Sequence, residues 1–282
     1  MPTDSPNLSS TADALDPAST RRLKITVAYL GTPFSGWQAQ PDKNAVQDHL
    51  EAAARRILGH PIRIHGSGRT DAGVHAHAQV AHFTFPAAST SLADQNWIAA
   101  FNGNLPQEIR VLSAETVSAD FHARFSATGK TYQYHIYNHP VADPFLLGRA
   151  WHIPNPIPLP SLQSAVGLLT GTHNFQAFAA NRGPSKTSSH KILSQESFIR
   201  TIYSAEILPP TSASPCIIFQ ISGNGFLYRM VRLLTATLVR VAQNRMPHTE
   251  FQFLLSGNSP KKSHFCAPPD GLYLHQVQYP HM

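Results

Sequence analysis

Cysteine is nearly absent: Cys216 and Cys266 are the only two in 282 residues. Two thiols are too few for a disulfide framework, and their spacing matches no metal motif. They are expected to be buried, reduced thiols. Also missing is any apolar run near the ~18 residues needed to cross a bilayer, so no membrane role is expected. Charge is scarce, at 13% of residues, and nowhere do five or six like charges follow one another. That leaves out charged interaction tails, so any strongly basic surface has to be assembled by folding. The net charge of +6 suits an anionic partner such as nucleic acid, although charge informs about association and not about fold. Residues 1–20 lack the basic start and apolar core of a signal peptide. Their Ser, Thr, Pro and Asp content predicts a disordered tail, and the expected compartment is the cytoplasm.

What is present is a globular composition, 42% hydrophobic, in a chain long enough to bury a sizeable core. Ile25, Val27 and Tyr29 alternate as in a half-buried strand. "NAVQDHLEAAARRILGHP" then reads as a helix capped by Asn44, with Val46, Leu50, Ala53, Ala54, Ile57 and Leu58 as its apolar stripe and Gly59 at its end. "PIRIHG" and "VHAHAQVAHFTF" read as strands, the residues around Leu92 to Phe101 as a helix, and "IRVLS" as a strand. "GKTYQYHIYN" (strand), "SLQSAVGLLTG" (helix), "IRTIYSAEIL" and "CIIFQISG" (strands) follow. "FLYRMVRLLTATLVRVAQN" is expected as one long amphipathic helix, and "NRGPSKTSSHKILSQ" (181–195) as a surface loop. This mixture predicts an α+β fold of two related halves, 21–118 and 119–282, and not a doubly wound parallel sheet.

The segment most unlike the rest is "HGSGRTDAGVHAHAQVAHF", residues 65–83. It has neither the Gly-Lys-Ser/Thr ending of a phosphate loop nor the glycine spacing of a dinucleotide fingerprint. Its glycines let backbone approach a ligand closely. Within it, Asp71 reads as a nucleophile or general base with Arg69 as its counter-charge, or as a turn aspartate bonded to its own backbone. His75 and His77 raise a metallohydrolase reading that would use Asp71 as well. Further ligands are missing, and strand histidines packed or hydrogen-bonded in a cleft are the favoured account of the pair. "DFHARFSATGKTYQYHIYN" interleaves Phe121, Phe125, Tyr132, Tyr134 and Tyr137 with Arg124 and Lys130, a pattern suited to RNA. Strand alternation nevertheless assigns most of these rings to the core. Arg229 and Arg232 read as a solvated helix face unless that helix end borders the cleft.

An ordered set of segments resembles the tRNA pseudouridine synthase A family. They are "GWQAQ" (36–40), "VQDHLEAA" (46–53), "GRTDAGVHA" (68–76), "FNGNLP" (101–106), "DFHARFSATGKTYQYHIYN" (120–138), "NFQAF" (174–178), "IRTI" (199–202), "GFLYRMVR" (225–232) and "DGLYLHQVQYP" (270–280). The resemblance implies the pseudouridine synthase fold, with two halves resembling RNA-recognition modules whose mainly antiparallel sheets join across a basic cleft. It implies a homodimer that isomerises uridine at positions 38 to 40 in the anticodon arm of tRNA, with no cofactor and no metal. Asp71 aligns with the essential aspartate, Arg69 with the arginine beside it, Tyr132 with the tyrosine on the target base, and Arg232 with the aspartate's basic partner. Gly68, Thr70, Gly73, His75, Arg124 and Leu272 fall to substrate binding. A third reading, an RNA-binding protein without catalysis, has no use for the acid in "GRTDAG".

Overall fold

The computed structural model describes residues 19–180, 195–212 and 214–280. Nearly all of the expected tail, and the 181–195 loop apart from Gln195, lie outside the described residues. In chain order the elements are β1 (Thr20–Tyr29), α1 (Val46–Leu58), β2 (His65–Gly66), β3 (His75–Pro86), α2 (Asp94–Asn102) and β4 (Ile109–Val117). Then come β5 (Gly129–Asn138), β6 (Trp151–Ile153), α3 (Leu159–Gly167), β7 (Gly171–Asn174), β8 (Ile199–Leu208) and β9 (Ile217–Gly223). α4 (Met230–Ala242), α5 (His248–Leu255) and β10 (Leu272–Gln278) complete the chain. The strands form one sheet in the order β4-β1-β3-β10-β5-β9-β8-β7, with β2 beside β3 and β6 beside β5. All pairings are antiparallel except β10 with β3 and β5 with β6. This is an α+β architecture with a largely antiparallel sheet.

The last strand is the seam. β10 lies between β3 and β5, with Tyr273 opposite His75 and Leu274 opposite Ala76 on one side, and Leu274 opposite Tyr132 on the other. Tyr29 pairs with Ala76 and Tyr132 with Ile221. Tyr29, Ala76, Leu274, Tyr132 and Ile221 therefore form one row across the middle of the sheet, on a single face. Under the first half of that face, Phe83, Phe85, Trp97 and Phe101 make an aromatic cluster with ring centroids 5.3 to 6.0 Å apart. Burying each of these rings stabilises the fold by about 1.5–3 kcal/mol.

Local differences from the sequence reading have physical causes. β1 starts at Thr20, inside the expected tail. α1 is capped at Ala45 and not at Asn44: the Ala45 N–H donates to the Asp48 carboxylate at 3.1 Å, while the Asn44 amide donates to the Pro33 carbonyl. Gly59, with φ 79°, ends the helix as expected. Of "PIRIHG" only His65–Gly66 pairs. The long C-terminal helix begins at Met230, because Arg229 before it sits in the left-handed region at φ 59°. It is no surface helix, for every residue of α4 except Arg240 is buried. Thr235 and Thr237 donate their hydroxyls to carbonyls one turn back, which satisfies them in that apolar setting. Cys216 is buried, and burial pushes its thiol up to about 11, but Cys266 is exposed. Among the described residues no helix is long and apolar enough to cross a membrane.

Candidate active site

The "GRTDAG" loop is built against the segment that follows β1. The Trp37 N–H donates to the Thr70 carbonyl at 3.1 Å. Gly36 has φ +95°, and a Cβ there would stand 2.6 Å from the Thr70 oxygen, so only glycine allows the two strands of chain to lie this close. Asp71 opens a turn in which the Val74 N–H donates to the Asp71 carbonyl at 3.1 Å. Gly73 supplies the turn's positive φ, 79°, and a Cβ on it would meet Pro269 at 2.9 Å. The loop is thus held from one side by residues 34–37 and from the other by the approach to β10.

The Asp71 side chain is partly open, at 23% exposure, and meets two guanidinium groups. Arg232 Nη1 donates to Asp71 Oδ2 at 3.1 Å, and its Nε donates to the Ala267 carbonyl at 2.7 Å. The Ala267 N–H returns a bond to the Arg232 carbonyl, so this arginine is fixed at both ends of its guanidinium. Arg229 Nε lies 4.0 Å from the same carboxylate oxygen. Tyr132 is beneath: its ring is buried, packs edge-on against Phe226 at 5.0 Å, and has its phenol pushed well above the ordinary range. Burial is the main cause, with Tyr29 and the Asp71 charge adding to it. Leu272 and Leu274 of β10 are buried on the same side of the sheet as Tyr132. A carboxylate beside one clamped and one loosely held cation, above an aromatic floor, is suited to an anionic, planar-based substrate.

Residues 25–126 and 165–280 match the family model described as tRNA pseudouridine synthase. The chain belongs to that family. It is 45% identical over 260 residues to the tRNA pseudouridine synthase A of Akkermansia muciniphila, covering 92% of this chain and 95% of the relative. To the enzyme of that name from Methylacidiphilum infernorum it is 41% identical over 258 residues, covering 91% and 95%. With that of Geobacillus kaustophilus the figures are 39% over 262 residues, 92% and 95%.

Against this family background, the structure brings some of the sequence-named residues together and separates others. Asp71, Arg232, Tyr132 and Leu272 converge. Arg69, read from the motif as Asp71's counter-charge, is exposed and donates to Gln38 at 3.1 Å. Gln38 in turn donates to Gln47 of α1. Arg232, 161 residues away in sequence, takes the counter-charge role because α4 begins at the loop. Thr70 turns into the core, its hydroxyl 2.8 Å from that of Tyr29. His75 is fully buried; its Nδ1 accepts from the Gly31 N–H at 2.9 Å and its Nε2–H donates to the Asp270 carbonyl at 3.0 Å. With both nitrogens engaged it ties chain segments together and has no surface for a ligand. Among the described residues no group of three or more His, Cys, Asp or Glu is arranged to hold a metal, so the metallohydrolase reading of Asp71, His75 and His77 finds no supporting geometry.

Gly68 has Lys130 as its neighbour, whose Nζ donates to the Ser67 carbonyl at 2.9 Å. Burial, and then the charge of Arg124, pull the Lys130 ammonium below its usual range. Arg124 is exposed and lies over the ring of Phe125, itself 76% exposed, while Phe121, Tyr132 and Tyr134 are core. Sequence reasoning names Lys130 only as a cation interleaved with the aromatics, and Gln38 only as part of its segment. The signal for both was their place inside the motif segments "GKTYQY" and "GWQAQ". Arg229 reads as part of a solvated helix face unless that helix end borders the cleft, and the end does border it, with Arg229 as a left-handed N-cap that helical spacing does not announce.

Proposed function

We propose that this chain isomerises uridine to pseudouridine at positions 38, 39 and 40 of the tRNA anticodon arm, with Asp71 as the acting group. The observation that carries the proposal is the Asp71–Arg232 pair, held at 3.1 Å above the buried Tyr132 in a chain of this family. The reaction breaks the ribose C1′–N1 bond, turns the uracil, and joins C1′ to C5. N1 gains a proton and C5 gives one up, so no electrons are exchanged. A carboxylate serves this by adding covalently to sugar or base, or by taking the C2′ proton, and all three routes need it within reach of the glycosidic bond.

A uridine within a stem has to leave the stack first. Tyr132 and Leu272 form the floor on which the extruded uracil rests, and exposed Arg69 is placed to fill the gap it leaves. Gly68, Gly73 and Arg124 line the path of the RNA backbone. The proposed enzyme works as a cytoplasmic homodimer. The exposed Val141, Phe145 and Leu147, the last two at 84% and 85%, support such an interface, since clustered exposed apolar side chains mark association surfaces.

The test is base-resolved mapping of pseudouridine in tRNA transcripts carrying uridine at 38, 39 or 40, after incubation with the purified chain. Conversion confined to those positions supports the proposal. No conversion at any of them, across several tRNAs, overturns it.

A further inference from the structure

The two arginines at Asp71 are not equivalent. Arg232 is buried and has an acceptor at each end of its guanidinium, Asp71 and the Ala267 carbonyl. Arg229 is 44% exposed, touches Asp71 only at 4.0 Å and only through Nε, and lies over the Tyr228 ring at 5.1 Å. Among the described residues its N–H groups have no hydrogen-bond acceptor, so its two-nitrogen fork is uncommitted. Its backbone is in the left-handed region, φ 59°, which a residue with a long side chain rarely adopts. The conformation is held from both sides: the Tyr228 carbonyl accepts from the Ala180 N–H, and the Arg229 carbonyl accepts from the Leu233 N–H. Left-handed non-glycine residues persist where surrounding structure enforces them, and they cluster at functional sites.

Charge gives the direction. Two guanidinium groups share one carboxylate, and no other acid among the described residues pairs with either, so the cluster of Asp71, Arg229 and Arg232 carries one positive charge in excess. We propose that Arg229 is a phosphate clamp, its free fork taking a backbone phosphodiester next to the target uridine while Arg232 alone holds Asp71. This rests on the proposed function above and adds a division of labour to it. A uracil carbonyl would use a donor but leave the charge unbalanced. A phosphodiester does both, and an arginine fork matches its two free oxygens.

The test uses Arg229→Gln and Arg229→Lys in the full chain. Affinity for a tRNA transcript is measured over a range of KCl concentrations, and the single-turnover rate at saturating tRNA is measured alongside. For Arg229→Gln the proposal expects affinity weakened about tenfold and the log–log salt slope flatter by about one, with the saturating rate reduced by less than about threefold. Arg229→Lys keeps the slope and loses part of the affinity, since it retains the charge without the fork, and it serves if the glutamine variant folds poorly. A saturating rate that collapses about a hundredfold, with affinity and slope unchanged, overturns the proposal and makes Arg229 a second partner of Asp71. A wild type that binds tRNA without forming pseudouridine refutes the proposed function instead, and the binding measurements still decide for or against the clamp.

Discussion

The two faces of the β3–β10–β5 seam carry opposite kinds of polar chemistry. On one, Asp71 and two arginines stand over Tyr132 and Leu274, ionic and partly open. On the other, four imidazoles surround Tyr273. His75, His77 and His135 have ring centroids 4.4 to 4.8 Å from it, and His275 Nδ1 is 3.1 Å from His77 Nδ1. Burial, and then the neighbouring imidazoles, hold His135 down to about 4, and burial lowers the other three as well. The imidazole face is therefore uncharged at neutral pH: His75 is tied to the backbone of Gly31 and Asp270, His77 meets His275, and among the described residues the buried His135 Nε2 has no partner. Eye-catching histidines in a motif are not reactive histidines when their nitrogens are already used; here the single acid is the group left with work to do.

The comparison can be broken most severely at the ionic face. Asp71→Asn keeps the shape and removes the charge, and pseudouridine formation is expected to fall at least about a thousandfold, with tRNA affinity and near-UV dichroism retained. Arg232→Gln comes next. Its side chain is only 11% exposed, and removing it leaves Asp71 without its anchored partner. The saturating rate should fall roughly a hundredfold, and denaturant unfolding should register a loss of about 1–3 kcal/mol, since Asp71 is partly open to solvent and keeps Arg229 beside it.

Acid tests the imidazole face. His135 on that face, and His82 in a second imidazole cluster with His65 and His122, have folded values near 4, below the ordinary 6.5, so the unfolded chain takes up protons first as pH falls. Their contribution to stability is full above pH 6.5 and drains away between there and 4. Urea titrations across that window should show a loss on the order of 2–4 kcal/mol for the pair, allowing for partial exposure. The smallest of these effects is expected from His75→Asn, which loses buried bonds to Gly31 and Asp270. It should cost about 1–3 kcal/mol of stability while activity per folded molecule is kept.

How legible all this was in the sequence varied with the range of the interaction. β5, β9 and α1 were plain because alternation and the helical stripe are local signals. β10 was not read as a strand at all. "LYLHQVQ" contains a register shift between Leu274 and Gln276 that breaks its alternation, and its parallel pairing with β3 joins residues nearly 200 apart. The same holds in the site. Asp71 stood out through its glycine-flanked loop, and Arg232 was reached only through family resemblance, because no spacing rule links α4 to that loop. His75 misled, since alternation correctly put it on the face away from Val74 but does not say that Tyr273 and Asp270 cover it. Cys266 misled in the same way, its burial being assumed from residue type.

The central claim, that chemistry belongs to the carboxylate face and not to the imidazole face, is tested most directly by tritium release from tRNA labelled at uridine C5. Asp71→Asn and the double variant His77→Gln/His275→Gln would be compared with the wild type in single turnover, with a chelator present. The account predicts release from wild type and from the histidine variant within about threefold of each other, and none from Asp71→Asn. Release by Asp71→Asn at a rate near wild type, or its loss in the histidine variant with the fold intact, would contradict it.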